Sequence, residues 1–175
     1  AGLAAAHDLR LRGYQVTLYE ATHILGGMMV LGIPEYRLDR GLVQAEIDAI
    51  VALGVDVRLD TRLGVDVTFE ELRQRHDGVM LALGATLGRG LDIPVHDADG
   101  VLRAIEFLIN VNRGCKADIG EKVVVIGGGN VAMDAARTAL RAAAYGERPA
   151  AGVELPPGEY EITEAVDVAR SAMRV

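Results

Sequence analysis

The sequence predicts an α/β fold in which helices pack on a mainly parallel sheet. Half of its 175 residues are hydrophobic and 21 are glycines, a composition that suits a sizeable core with tight turns between strands and helices. Short apolar runs alternate along the chain with segments of helical periodicity, as right-handed strand–helix–strand crossovers require. Near residue 127 a cluster of three glycines joins such a run directly to a predicted helix.

Helices are predicted where strong helix formers or apolar residues at helical spacing dominate, at residues 1–12, 40–53, 68–75, 101–111, 130–143 and 162–174. Strands are predicted in short runs rich in β-branched or apolar residues, at residues 15–19, 55–59, 79–83 and 122–126. The last two runs are apolar enough for strands buried on both faces. Thr68 and Glu71 have the spacing of a capping box. Loops containing Gly and Pro are expected at residues 26–38 and 145–160.

Charge and composition exclude several classes of function. The net charge is −7, with 18 basic residues scattered among 25 acidic ones, so a nucleic-acid partner is not expected. No apolar stretch approaches the roughly 20 residues of a membrane span, and no secretory signal is visible; we therefore expect a cytoplasmic protein without a membrane partner. The single cysteine, Cys115, and four histidines without metal spacing predict neither a redox cysteine pair nor a metal site.

The clearest motif is GGGNVA at residues 127–132, a G-x-G-x-x-A between an apolar run and a helix. Gly127 would permit the tight turn, Gly129 would let a pyrophosphate approach the backbone, and Ala132 would let the helix pack closely. The free N–H groups and partial positive charge of the helix N-terminus would face the phosphates. The motif therefore predicts a dinucleotide-binding loop, with Asn130 as a candidate helix cap.

Asp134 follows in what we expect to be the first turn of that helix. Two roles fit an acid at this position. It could stabilise the helix dipole, or it could take part in cofactor binding, and the sequence does not decide between them.

An earlier unit of the same kind begins at Gly2. This residue would be the last glycine of a G-x-G-x-x-G whose first five residues precede the chain, and a predicted helix and strand follow it in order. The strand ends at Glu20, where a carboxylate would hydrogen-bond the ribose hydroxyls of an adenosine. Since it would repel a 2′-phosphate, the site suits FAD or NAD rather than NADP. Taken alone, Gly2 and Glu20 are weak evidence, and a surface glutamate that ends a strand is the commoner explanation of Glu20.

Several ordered motifs together resemble the glutamate synthase small-subunit family of flavoproteins, which includes the flavin domains of dihydropyrimidine dehydrogenase. They are Glu20, Gly26-Gly27, GIPEYRL at 32–38, LALGA at 81–85 and VVVIGGGNVAMDAARTALR at 123–141. The resemblance covers nearly all of residues 1–141. It departs from the family at Leu83, where a threonine is usual.

This resemblance implies a glutathione-reductase-like α/β flavoprotein with two Rossmann-like dinucleotide-binding units, both incomplete here. The expected division is a partial FAD-binding domain at 1–98, a connecting helix and linker at 99–120, and a partial NAD(P)H-binding domain at 121–175. The chain would be a fragment, without the first strand of one unit and the closing strands of the other.

The resemblance also assigns cofactor-binding residues. FAD would contact residues of the first part of the chain, namely Gly2, Glu20, Gly26, Gly27, Met28, Arg37, Leu63 and Gly84. NADPH would contact the second glycine loop, at Gly127, Gly128, Gly129, Asn130 and Val131. The choice of NADPH over NADH rests on the family resemblance alone, because the arginines that bind the 2′-phosphate of NADPH in that family would fall after Val175.

The function that the resemblance implies is electron input to a larger enzyme, with a hydride passing from NADPH to FAD and electrons onward to iron–sulfur clusters or a partner subunit. No catalytic acid or base is expected, and cluster ligands would lie outside this stretch. Met28-Met29 stand where disulfide reductases carry a cysteine pair, so direct disulfide reduction is not expected.

Two alternatives remain. One is a ferredoxin–NADP reductase-type or other FAD oxidoreductase without glutamate chemistry, and the other is a non-catalytic nucleotide-binding module. The stretch alone is expected to be inactive and marginally stable.

Overall fold

The structure is a computed structural model, and it describes residues 1–88, 98–115, 119–120 and 122–145. In chain order its elements are α1 (Gly2–Leu11), β1 (Thr17–Tyr19), α2 (Met28–Leu31), α3 (Arg40–Val51), β2 (Asp56–Arg58), α4 (Phe69–Arg75), α5 (Ala104–Asn112) and α6 (Asn130–Tyr145). The loop predicted to run on to residue 160 and the helix predicted at 162–174 lie outside the described residues.

The chain divides into two compact units. The first comprises Ala1–Val30 and Leu38–Ala85, and the second comprises Leu31–Arg37 and Thr86–Val175. The short segment Leu31–Arg37 therefore belongs with the later part of the chain, although the residues on both sides of it belong to the first unit.

The first unit is built around two parallel strands. β1 pairs with β2 in the register Thr17↔Asp56, Leu18↔Val57 and Tyr19↔Arg58, and the long connection through α3 is what a parallel pair requires. α1 packs against both β1 and α3. The parallel pairing agrees with the sequence prediction, although each strand is only three residues long.

The core of the first unit lies between α1 and α3. Ala6 on α1 is buried, as are Val43 and Ile47 on α3. The latter two are four residues apart, which is the helical spacing of apolar residues expected in the helix predicted at 40–53. Arg10, near the end of α1, donates from Nε to the carbonyl oxygen of Leu53 at 2.8 Å. This hydrogen bond joins the end of α1 to the turn that follows α3.

The second unit has α5 packed against α6. Phe107 and Leu108 on α5 are buried against Ala135 and Ala139 on α6. The small side chains on α6 let the larger side chains of α5 fill the space between the helices. This packing fixes the helix that follows the glycine loop.

Two strand predictions were wrong. Residues 79–83 and 122–126 have no regular secondary structure, and Leu83 and Val124 are 70% and 65% exposed. A run of apolar residues becomes a strand only when a neighbouring strand accepts its backbone hydrogen bonds, and the sheet among the described residues contains β1 and β2 alone. The predicted loop at 26–38 also contains a single helical turn, α2, because the sequence signal of four residues is too short to detect.

The capping box of α4 is confirmed. The backbone N–H of Glu71 donates to Thr68 Oγ1 at 3.2 Å, and Glu71 Oε2 accepts from the backbone N–H of Thr68 at 2.8 Å and from its hydroxyl at 2.9 Å. These hydrogen bonds, led by the backbone one, lower the pKa of the Glu71 carboxyl from its ordinary value of 4.5. Within the described ranges, no helix is long and apolar enough to cross a membrane.

Because folding lowers this pKa, the carboxylate stabilises the folded protein at any pH above the pKa of the unfolded state. That contribution is lost as the pH falls through the pKa of the folded state. Glu71→Gln should therefore destabilise α4 at neutral pH, and the difference from wild type should shrink as the pH falls below about 4.5. Hydrogen exchange of the α4 amides across this pH range measures the effect. Glu70→Gln, at a position between the two box residues that makes none of the box hydrogen bonds, is the matched control; an equal pH dependence in that variant would contradict the account.

Candidate functional site

The first predicted site begins at the N-terminus of α1. Gly2 is the first residue of this helix, and its first hydrogen bond runs from the Ala5 N–H to the Ala1 carbonyl at 2.9 Å. The N–H groups of residues 2–4 therefore have no acceptor within the helix. The first turn contains no acidic residue, so its partial positive charge is not neutralised there. These are the features that the predicted phosphate-binding role of Gly2 requires.

Another predicted cofactor motif lies beside this helix start. A Cβ on Gly2 would stand 3.5 Å from the Cβ of Ala82, which belongs to the LALGA run. Gly84, in the same run, has open space where a Cβ would be. The structure thus brings the start of α1 and the LALGA run together, as their common assignment to one site requires.

Glu20 follows directly after β1, at the carboxyl end of the parallel strands. Its N–H donates to the carbonyl of Arg58 at 2.9 Å, and its carbonyl accepts from the N–H of Thr61 at 2.9 Å. Its side-chain Oε1 accepts from the N–H of Thr22 at 2.9 Å and lies 3.0 Å from the Thr22 hydroxyl. The turn at Thr22 holds the half-buried carboxylate at the edge where open α/β sheets bind ligands.

Gly26 and Gly27 form a turn, and the two positions differ in how much room a side chain would have. Both have positive φ, at +106° and +55°. A Cβ on Gly26 would lie 2.5 Å from Val30 Cγ2 and 3.3 Å from Ile47 Cδ1, whereas a Cβ on Gly27 would meet nothing within 4 Å. Gly26 is therefore required by packing inside the unit, and Gly27 presents bare backbone ahead of Met28.

Leu63 lies in a small hydrogen-bonded loop of the first unit. It forms an isolated parallel bridge with Val67, which is buried, and the Gly64 N–H donates to the Val67 carbonyl at 2.7 Å. The side chain of Leu63 is half-buried. The assignment of Leu63 to the adenosine end of FAD stays a prediction.

The second predicted site is the glycine loop before α6. Gly127 has a φ of +126°, and a Cβ there would lie 3.5 Å from that of Ala132. A Cβ on Gly128 or on Gly129 would meet nothing within 4 Å. The first α6 hydrogen bond runs from the Met133 N–H to the Gly129 carbonyl at 3.1 Å, which leaves the N–H groups of residues 130–132 without acceptors in the helix.

The start of α6 is open to solvent and uncharged. The first turn carries no acidic residue, and Asn130 and Val131 are both exposed.

Two expectations about α6 need correction. Asn130 is the first helical residue rather than the cap, because Gly129 supplies the carbonyl that begins the helix. Asp134 lies in the second turn, not the first, and it is buried, so a role in stabilising the helix dipole does not fit its position.

Asp134 instead pairs with Arg37. The Nη1 group of Arg37 donates to both carboxylate oxygens of Asp134 at 2.8 Å, with the Asp134 side chain 7% exposed and the Arg37 side chain 38% exposed. The hydrogen bond to Asp134 and the charge of the same carboxylate raise the pKa of the guanidinium. Sequence reasoning missed this pair, because the partners are 97 positions apart and neither motif contains a signal for the other.

The segment that carries Arg37 is held at further points in the second unit. The Tyr36 hydroxyl donates to the carbonyl of Asp134 at 3.4 Å, and the guanidinium carbon of Arg141 lies 4.2 Å from the Tyr36 ring centroid. Burial raises the pKa of the Tyr36 phenol, against smaller opposing effects of Thr138 and the nearby arginines. From α5, Asn112 Nδ2 donates to the carbonyls of Leu31 at 2.8 Å and Ile33 at 3.2 Å.

The chain belongs to the family described as pyridine nucleotide-disulphide oxidoreductase, which matches residues 1–170. Membership implies an FAD/NAD(P)-binding Rossmann-like fold and supports a flavin and an NADPH-type cofactor. Among the residues that the structure describes, no group of three His, Cys, Asp or Glu side chains could hold a metal ion.

Several curated proteins are similar to this chain. It is 46% identical over 145 residues to the beta subunit of an NADP(+)-dependent formate dehydrogenase of Moorella thermoacetica, covering 81% of this chain and 20% of that protein. It is 46% identical over 146 residues to the NADPH-Fe(3+) oxidoreductase subunit beta of Geobacter sulfurreducens, covering 81% and 22%. It is 36% identical over 172 residues to the glutamate synthase [NADPH] small chain of Bacillus subtilis, covering 90% and 34%.

These relatives confirm the resemblance to glutamate synthase small subunits that the motifs predicted. They also widen it, because the beta subunits of two other oxidoreductases are similar to the same stretch. The chain spans between a fifth and about a third of the length of these three relatives.

The different environments of Gly26 and Gly27 lead to a stability prediction. Gly26→Ala forces a methyl group into Val30 at a strained φ and should destabilise the first unit by about 1–3 kcal/mol. Gly27→Ala enters open space and should cost about 1 kcal/mol. Chemical denaturation of the full-length protein without cofactor, with exchange protection of α3 as the local probe, measures both. A loss for Gly27→Ala equal to or above that for Gly26→Ala would refute this assignment.

Proposed function

We propose that this chain is the cofactor-binding part of an electron-input oxidoreductase, which passes a hydride from NADPH to FAD and electrons onward to iron–sulfur clusters or a partner subunit. The single observation that carries the proposal is the accessible backbone of Gly128 and Gly129 before α6, in a chain whose family uses pyridine nucleotides. The start of α1 offers a second anion site of the same kind.

The proposed FAD site fits the residues around β1 and α1. The free N–H groups at Gly2 would face the diphosphate, and Glu20 would accept hydrogen bonds from the ribose hydroxyls, since its Oε2 has no recorded partner among the described residues. The backbone of Gly27 and Met28 would face the cofactor. Gly26 instead lets the turn pack against Val30 and Ile47. Leu63 and Gly84 complete the proposed FAD site. The family resemblance also assigns Arg37 to FAD, but its guanidinium pairs with Asp134 in the second unit.

The proposed nicotinamide site is the loop and first turn of α6. Gly127 would make the turn, Gly128 and Gly129 would let the pyrophosphate reach the backbone, and the N–H groups of Asn130 and Val131 would donate to it. A side chain on Gly128 or Gly129 would project into this open space. NADPH is preferred over NADH because the relatives' names specify NADP(+) or NADPH.

The bound flavin and nicotinamide would supply the hydride and single-electron chemistry. The chain's own residues would bind the two cofactors, orient them and exclude water, and no side chain is proposed as a catalytic acid or base. Met28 and Met29 follow the Gly26-Gly27 turn, and Cys115 is the one cysteine in the sequence. A dithiol mechanism therefore has no cysteine pair within this chain, despite the name of the family.

The domain arrangement is also part of the proposal. A glutathione-reductase-like protein would have its FAD-binding domain at 1–98, a connection at 99–120 and its NAD(P)H-binding domain at 121–175, completed by sequence outside this chain. The named reactions of the relatives involve formate, ferric iron and glutamate, and all three names include NADP(+) or NADPH. NADPH oxidation at the flavin is the step that such proteins could share, with the electron acceptor set by another subunit or domain.

The direct test uses the full-length protein that contains this chain, reconstituted with FAD. Anaerobic mixing with NADPH should bleach the visible flavin absorbance in a saturable manner. Gly129→Val should raise the half-saturating NADPH concentration by about tenfold or more, because a side chain would block the close approach of the pyrophosphate, while FAD content stays unchanged.

Gly120→Val is the matched control, since Gly120 lies in the same unit and a Cβ there would also meet nothing within 4 Å. It should bind NADPH like wild type. A protein that retains no flavin, or whose flavin is not reduced by NADPH, would refute the proposed function. Equal effects of the two valine variants would refute the assignment of the nicotinamide site.

A further inference from the structure

Arg37 and Asp134 form an ion pair unlike the local pairs of the described chain. The pairs His7–Asp8, Asp56–Arg58, Glu71–Arg75 and Arg103–Glu106 join residues at most four positions apart, and every partner in them is at least 43% exposed. Asp134 is 7% exposed and its partner is 97 positions away. A carboxylate so buried needs a charged partner with good geometry, and Arg37 supplies it with hydrogen bonds to both oxygens.

The position of Asp134 gives this pair its consequence. Asp134 lies on α6 five residues after Gly129, which is little more than one helical turn and about 7 Å along the helix axis. A helix is stiff over that distance, so whatever fixes Asp134 also fixes the N–H groups of residues 130–132. These are the groups that the proposed nicotinamide site needs in place.

The segment opposite Asp134 is itself firmly held. Tyr36 contacts the Asp134 carbonyl and lies under Arg141, two turns along the same helix. Asn112 donates to the carbonyls of Leu31 and Ile33. The segment Leu31–Arg37 is therefore tied to both α5 and α6, and it is covalently continuous with the Gly26-Gly27 turn and Met28 on its N-terminal side.

Building on the proposed function, we propose that Arg37 and Asp134 are positioning residues of the nicotinamide site. Their ion pair holds the first turns of α6, and with them the Gly128-Gly129 backbone, against the segment Leu31–Arg37. Arg37 then acts on NADPH binding through Asp134, and its contribution to holding FAD is secondary. The family resemblance assigns Arg37 to FAD contact instead, and the two roles predict different results.

The experiment measures FAD content and the NADPH dependence of flavin reduction in the full-length, FAD-loaded protein. The variants are Arg37→Gln, Asp134→Asn, their double mutant and the charge-conserving Arg37→Lys. Glu106→Gln is the control, because it removes an exposed pair from α5 in the same unit. The double mutant leaves no unpaired charge at the buried position of Asp134, so it gives a result even where a single neutral variant does not fold.

We expect each single neutral variant to raise the half-saturating NADPH concentration about tenfold. In metal sites, removal of a residue that orients a ligand costs ~10–100-fold in affinity or activity, and we take the lower end of that range for this positioning pair. The half-saturating NADPH concentration of the double mutant should not exceed that of the more affected single variant, because the two residues act as one unit. Arg37→Lys should recover most of the affinity. FAD content should remain that of wild type throughout, and Glu106→Gln should change nothing.

Two results would overturn the inference while leaving the proposed function standing. Loss of FAD in Arg37→Gln with normal FAD in Asp134→Asn would make Arg37 a direct flavin ligand. A lowered thermal midpoint with an unchanged NADPH dependence would make the pair merely structural. A wild-type protein whose flavin NADPH does not reduce would instead overturn the proposed function, and this inference with it.

Discussion

The first turn of an α-helix cannot satisfy its own N–H groups, and both proposed cofactor sites are built on such a turn. At α1 and at α6 the helix begins at or just after a glycine, and neither first turn contains an acidic side chain. The backbone at Gly128 and Gly129 is open, and the N–H groups beyond them would face the negatively charged group of the proposed nicotinamide cofactor. The remaining architecture, namely the parallel β1–β2 pair under α1 and the α5–α6 packing, holds these two helix starts in place.

The two glycine-bearing turns are held by different means. In the first unit Gly26 is enclosed by Val30 and Ile47, so the turn depends on close packing against α3. In the second unit the loop before α6 is open, and the fixed point lies one turn further on, at the ion pair of Asp134 with Arg37. A loop that is open for a ligand cannot be stabilised by packing over its face, and the ion pair behind it is a physically reasonable substitute.

Features encoded by neighbouring residues could be predicted from the sequence, and features that depend on distant partners could not. The helical face of Val43 and Ile47 and the capping box at Thr68 follow from spacings of three to four residues. The runs 79–83 and 122–126 were wrongly predicted as strands, because pairing requires a neighbour that composition does not supply. The dinucleotide motif located the helix start at Asn130 correctly but mistook that residue for its cap. The partner of Asp134 lay in a motif 97 positions away and could not be inferred from either stretch.

Hydrogen–deuterium exchange of the full-length protein, with and without saturating NADPH, tests the central claim most directly. Each N–H group at the start of α6 lacks an acceptor in the helix, so it should exchange rapidly in the absence of nucleotide. NADPH should slow exchange in the peptide that spans residues 127–133, and to a much smaller extent in peptides from α4. Protection confined to other regions, with residues 127–133 exchanging as fast as before, would contradict the assignment of this loop to the nicotinamide cofactor.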